Sequence, residues 1–228
     1  MATPQVLSVA VCLYNDVTVL DYQGALDILG GVGFCCEKGF LPRSPKFVYD
    51  FKYLAKSLEP VQPIGSAPKV VPTMTYSEAL DPEAKQFDII IVPAGSMSGE
   101  IEQEAVMFLA KQSPGAKYVL TVCGGSAILA ATGFLNGKRA TTNKAGFKMI
   151  QAAFDKVNWV PKARWVVDGN IWTASGITAG FDMAHAFLST IEGQDIATSI
   201  VNVLEYRPRL DPEDDEFAII HGLVPLES

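Results

Sequence analysis

The sequence predicts an α/β protein, a doubly wound and mostly parallel sheet with helices on both faces. Three observations predict it. Apolar runs too continuous to leave one face wet recur at Val6–Tyr14, Phe87–Val92 and Tyr118–Val122, as strands buried on both faces require. Segments with helical spacing alternate with such runs almost throughout the chain, the pattern of helix-covered parallel sheets. The third run passes through Cys123-Gly-Gly-Ser126 into an apolar helical stretch, the layout of a nucleophile elbow, where a strand turns sharply into a helix and presents one side chain at the apex.

Taken in order, Val6–Tyr14 is the first buried strand, and Asn15–Asp21 leads into a helix from about Tyr22 to Leu29. Gly30 to Pro45 is punctuated by glycine and proline and reads as an irregular insertion. Phe47–Ala55 alternates as a strand, and Val61–Thr73, with Pro63, Gly65 and Pro68, suits a short hairpin at a sheet edge. Phe87–Val92 ends at Pro93–Gly99, and a helix follows from about Gly99 to Gln112. Beyond the elbow come turns at Gly133 and Asn136-Gly137 and a helix over Ala145–Phe154. A hairpin then joins Ala163–Val167 to Asn170–Ala174 through Asp168-Gly169. Thr178–Thr190 and Gln194–Tyr206 are closing helices. No repeat or linker divides residues 1–228, so we expect one domain with its core at about 6–208 and a solvated acidic tail at 209–228.

Composition narrows the function. Hydrophobic residues at 49% against 19% charged describe a compact globular protein and exclude disorder. A net charge of −7 without a basic cluster argues against nucleic acid as a partner. No apolar run reaches the roughly 20 residues of a membrane span, and the N-terminus lacks the pattern of a secretory signal. The four cysteines, Cys12, Cys35, Cys36 and Cys123, have neither metal-ligand spacing nor the density of a disulfide framework. A reducing, cytoplasmic location is expected, with no metal.

In such sheets ligands bind at the carboxyl ends of the strands, and Asp21, Pro93–Gly99 and Cys123 all fall there. The helix N-terminus after Cys123 favours a thiolate; the alternative is an inert packed thiol. Asp21 is either a helix cap or, if it faces Cys123, a carboxyl group that shares a proton with the sulfur and serves as general acid and base. Gly95 and Gly124 could supply two backbone donors for developing negative charge, or Gly95 could simply be a turn residue. Ser126 is expected to satisfy local backbone groups, Thr178 to cap its helix with Asp182 near the positive end, and His185 to be packed or surface-lying rather than a base. Cys35 and Cys36 are read as packed thiols.

At Thr121–Ser126, Leu135–Thr142 and Gly176–Asp182 the chain resembles the PfpI-like superfamily, which includes the parkinsonism-associated deglycase and is related to class I glutamine amidotransferases. Within it the isonitrile hydratases are the nearest look-alikes. The resemblance covers roughly Val6 to Pro208 and implies a flavodoxin-like fold, a homodimer, and a small-molecule substrate handled without metal or organic cofactor. It implies Cys123 as nucleophile, Asp21 as its acid–base partner, Gly95 and Gly124 as oxyanion donors, and the Ile177 backbone as part of the same pocket. Aspartate at 21, in place of glutamate, points to the hydratase branch. Two positions depart from the superfamily pattern: Asn143 stands where many members carry the histidine partner of the cysteine, and Gly124 stands where hydratases commonly carry threonine. The implied activity is cysteine-dependent hydration of isonitriles to N-substituted formamides. The alternatives are a redox-responsive protein that oxidises Cys123, or a glyoxalase or deglycase acting on small aldehydes.

Overall fold

The computed structural model describes residues 3–95 and 102–226. Seven strands form the central sheet: β1 (Gln5–Cys12), β2 (Phe47–Ala55), β3 (Met74–Thr75), β4 (Ile89–Val92), β5 (Tyr118–Val122), β8 (Trp165–Asp168) and β9 (Ile171–Ala174). Their order is β3-β2-β1-β4-β5-β9-β8. All neighbours are parallel except the β8/β9 hairpin. The strands β4 and β9 are buried along their whole length, which explains why their sequences show no alternation. A second small parallel sheet pairs β6 (Arg139–Ala140) with β7 (Asn158–Trp159); residue pattern alone had not indicated it.

Helices cover both faces. On one, α1 (Val19–Glu37), α6 (Ile177–Ile191) and α7 (Gln194–Val203) pack against each other. On the other, α3 (Gln103–Gln112) packs between the short α2 (Tyr76–Ala79) and α4 (Gly125–Ala131). The remaining helices are α5 (Phe147–Ala153) and α8 (Glu216–Ile220). Among the described residues no helix is long and apolar enough to cross a membrane.

Several elements differ from their expected bounds. The first helix runs to Glu37, into the first half of the segment expected to be irregular, and residues 38–45 are irregular as expected. Glycine disfavours helix, but here Gly30 lies against Phe51 of β2 and Gly31 against Ile200 of α7, so close packing overrides local preference. The expected hairpin at Val61–Thr73 is reduced to one antiparallel bridge, Val61 to Val70. The turn of the β8/β9 hairpin is Gly169-Asn170, one residue later than expected, with Asp168 paired to Ile171. Gly99 and the expected start of its helix lie outside the described residues. The tail is not a solvated extension: Asp215 is buried, α8 forms, and Leu223 packs on the core.

This topology fixes where a ligand can bind. From β1 the chain builds the sheet outward through β2 and β3, then returns to the other side of β1 for β4 and β5. The reversal opens a crevice at the carboxyl ends of β1 and β4. Asp21 follows β1, Ala94 and Gly95 follow β4, and Cys123 follows β5, so three adjacent strands deliver them to one place.

The elbow is held by close approach. A Cβ built on Gly125 would lie 2.0 Å from the carbonyl oxygen of Val92, whereas one on Gly124 would meet nothing nearer than Ala94 at 3.5 Å. Gly125→Ala therefore forces β4 and α4 apart, at a cost of several kcal/mol. Its thermal midpoint should fall by about 10 °C or more, or the protein should not accumulate in soluble form. Gly124→Ala, at an ordinary helical φ of −70°, should leave the midpoint within about 2 °C. Differential scanning fluorimetry of the two variants checks both outcomes.

Candidate active site

Cys123 has φ +58°, in the left-handed region, which costs a non-glycine residue on the order of 1–3 kcal/mol. The surroundings over-determine it. Its N–H donates to Ala174 O at 3.0 Å, and its carbonyl accepts from Thr142 Oγ1 at 3.1 Å and Ser126 Oγ at 3.3 Å. Ser126 thus serves the local backbone, as expected. Cys123 as a residue is half-buried.

Two donors reach the sulfur. The Gly124 N–H is one. The other is Asn143 Nδ2, at 3.2 Å. Asn143 Oδ1 accepts the Ala145 N–H at 3.0 Å, which turns the amide nitrogen, not the oxygen, toward Cys123. The position where a histidine was missed therefore does touch the sulfur, through a group that donates and cannot take a proton.

Asp21 lies inside the first turn of α1 and is only 1% exposed. It does not cap the helix: Thr18 occupies the N-cap position, without a side-chain cap bond. Instead Asp21 Oδ2 accepts the Ala94 N–H at 2.9 Å, while Oδ1 has no hydrogen-bond partner. Burial pushes its pKa up to about 7, against the lowering effect of the Ala94 hydrogen bond. The Cys123 thiol is pushed up to about 12, first by burial and then by the Asp21 charge, which outweigh the Gly124 and Asn143 donors. The helix N-terminus therefore does not produce a resting thiolate. Above about pH 7 the two groups hold one proton, on the thiol, and below it Asp21 takes up a second.

A cleft of about 710 Å³ reaches the residues next to this pair, Gly124 after Cys123 and Gly95 after Ala94, and is walled by Tyr14, Ile128, Ile150 and Phe154 among others; neither Cys123 nor Asp21 is part of its wall. Gly95 is there because a Cβ would lie 2.7 Å from the Tyr14 ring. The Tyr14 hydroxyl in turn donates to Pro93 O and pins the end of β4. Ile177 is the first residue of α6, after the N-cap Gly176. Thr178 is not the cap; its Oγ1 accepts from Arg164 at 3.3 Å. Asp182 is buried in an ion pair with Arg164. His185 is packed, its Nδ1 without a partner, and burial lowers its pKa. Cys35 is buried, but Cys36 on the same helix is exposed.

The residues missed from sequence are Ala94, whose N–H fixes Asp21, and Asn143. A backbone donor carries no signal in its residue type. Asn143 was visible only as a departure from a histidine.

A buried carboxyl group with a raised pKa has a definite effect on stability. Below about pH 4 Asp21 is protonated both folded and unfolded, so its penalty is absent. As pH rises to about 7 the unfolded chain ionises Asp21 first, and stability falls by roughly 4 kcal/mol in the limit of about 1.36 kcal/mol per pH unit. Asp21→Asn should therefore melt several degrees above the parent at pH 8, and the gap should close by pH 4. Melting curves across that range measure it.

Residues 52–190 match the DJ-1/PfpI family. The chain is 32% identical over 205 residues to an isonitrile hydratase of Pseudomonas putida, covering 89% of this chain and 79% of the relative. It is 34% identical over 106 residues to a deglycase of Pyrococcus horikoshii, covering 45% of this chain and 59% of that one. Among solved structures it is similar to a THiJ/PfpI family protein of Pseudomonas syringae, with a TM-score of 0.74, 27% identity, and 90% and 77% of the two chains covered. With the strand order, the elbow at Cys123 and these matches in agreement, the chain belongs to the DJ-1/PfpI family.

Proposed function

We propose that this protein hydrates isonitriles to N-substituted formamides, with Cys123 as nucleophile and Asp21 as the acid and base. One observation carries the reading. The Asp21 carboxylate, with one oxygen free of partners, is close enough for its charge to raise the Cys123 pKa, and the side chain hydrogen-bonded to the sulfur is an amide. The carboxylate is thus the proton acceptor available to the thiol. The similarity to an isonitrile hydratase supports the same reaction.

The proton inventory fits. Asp21 takes the thiol proton as sulfur attacks the terminal carbon of R–N≡C, and returns it to that carbon to give the thioimidate R–N=CH–S–Cys123. Water then adds to the carbon, its proton passing through Asp21 to nitrogen. Collapse of the adduct forms the formamide C=O, breaks the C–S bond and restores the thiol. The Gly124 N–H and Asn143 support the departing sulfur, and Gly95 faces the cleft where charge builds up.

A thiol held protonated weighs against a peroxide sensor, because the thiolate is the oxidisable form. Among the described residues the side chain hydrogen-bonded to the sulfur is an amide, which weighs against amide hydrolysis, whose leaving amine needs an acid. Purified protein offered an isonitrile, methylglyoxal and glutamine should consume only the isonitrile. Cys123→Ala should abolish turnover, and Asp21→Asn should lower it by about a hundredfold or more while keeping the fold. The parent kcat/KM should rise with pH through about 7 as Asp21 ionises to its base form. Near-parental hydration by Asp21→Asn, or consumption of methylglyoxal instead, overturns the assignment.

Family resemblance also supports a homodimer. Light scattering at micromolar concentration should report twice the chain mass, and a monomer at every concentration would refute it.

A further inference from the structure

The C-terminal segment does more than cover the core. Three attachments bind it to the part of the molecule that carries Asn143. Tyr206 Oη and Arg209 N both donate to Asp182 Oδ1, the latter at 2.9 Å, and Asp182 is held by Arg164 Nε at 2.7 Å. Arg164 N donates to Pro212 O at 2.6 Å. Deepest of all, Asp215 faces Lys144 Nζ at 3.2 Å, both side chains almost wholly buried. Asp215 uses its other oxygen to cap α8, accepting from Phe217 N at 3.2 Å.

Lys144 is directly next to Asn143 in the chain, and its ammonium ties the loop together. It donates to Thr141 Oγ1 at 2.8 Å and to Ala163 O at 2.7 Å. Thr141 N is in turn bonded to Thr173 Oγ1 of β9 at 2.9 Å, and Thr142 holds the Cys123 carbonyl. Residues 141–145 thus form a short bridge. One end of it is Asn143 on the sulfur, and its buried charge is neutralised by a carboxylate from the far end of the chain. A buried ion pair is a poor source of stability, because desolvation cancels most of its attraction. What it does supply is direction.

We propose that the C-terminal segment is a positioning element of the active site: Asp215, through Lys144, holds the 141–145 loop so that Asn143 Nδ2 stays aimed at Cys123 Sγ. This rests on Cys123 as the reactive centre but not on the identity of its substrate. Without the Asp215 charge, the Lys144 ammonium would be buried unpaired, and either losing its proton or shifting toward water would slacken its hold on Thr141 and Ala163. Asn143 would then lose its register with the sulfur.

The test is the rate of Cys123 alkylation by iodoacetamide between pH 7 and 10, followed by the mass of the peptide that contains Cys123, which separates it from the exposed Cys36. Asn143→Ala removes a donor from the developing thiolate and should slow alkylation roughly tenfold at each pH, the scale of one hydrogen bond to a charged acceptor. Lys144→Met combined with Asp215→Leu replaces the pair by apolar side chains, a change that proteins often tolerate without loss of stability. It should slow alkylation to a similar extent, as should Asp215→Asn. Adding Asn143→Ala to either should slow it no further, since both changes act through one contact. Leu223→Ala loosens the same segment without touching the pair, and should lower the melting temperature while leaving the pH–rate profile unchanged. Parental alkylation in the pair variants overturns the proposal, as does slowing that multiplies fully with that of Asn143→Ala, or equal slowing by Leu223→Ala. Because no isonitrile enters the experiment, a protein that hydrates none still tests it.

Discussion

Asp21 is buried with one hydrogen bond and no cation, and much of the surrounding architecture exists to hold it that way. The Ala94 N–H that anchors it comes from the end of β4, while Asp21 itself belongs to the helix after β1. The two segments face each other only because the chain reverses its direction of travel across the sheet between those strands. A salt bridge in place of that backbone N–H would hold the carboxyl group down as a permanent anion. A neutral donor orients it while leaving burial free to raise its pKa to about 7. The carboxyl group can then both accept and release a proton under the same conditions.

The other partners of the sulfur follow the same logic. A histidine on Cys123 would draw the proton away and form an ion pair. Asn143 can only donate, as can the Gly124 N–H. They soften the cost of a transient thiolate without forming one at rest. Under the proposed function the nucleophile is generated on demand, by the group that later has to give the proton back. This suits a substrate whose attacked carbon becomes basic once sulfur has bonded to it.

How much of this is legible in the sequence depends on the range of the forces involved. Continuous burial shows in residue type, so β1, β4 and β5 and the turn at Cys123 can be read directly. The requirement for glycine at 125 can be read too, although its cause is the Val92 carbonyl and not the cysteine side chain. Gly30 and Gly31 mislead, because the packing against Phe51 and Ile200 that keeps α1 helical is set by residues far away in the chain. Asp215 misleads for the same reason. In an acidic run it reads as solvated, and only the fold brings the buried Lys144 to it. Asp21 is intermediate: its type and place at a strand end suggest chemistry, but a helix cap has the same sequence signature. Only the bond to Ala94 separates them.

The paired charges of this region, two buried and one exposed, are consistent with the absence of any cation among the causes that shift the Asp21 pKa. Arg164 is matched by Asp182, Lys144 by Asp215, and Lys56 at the cleft by Glu104. Each cation is thus neutralised within a few ångströms by its own carboxylate, and a neutral pair projects far less field than a lone charge. With those cations paired off, the proton affinity of Asp21 is set by its own burial, against the Ala94 hydrogen bond.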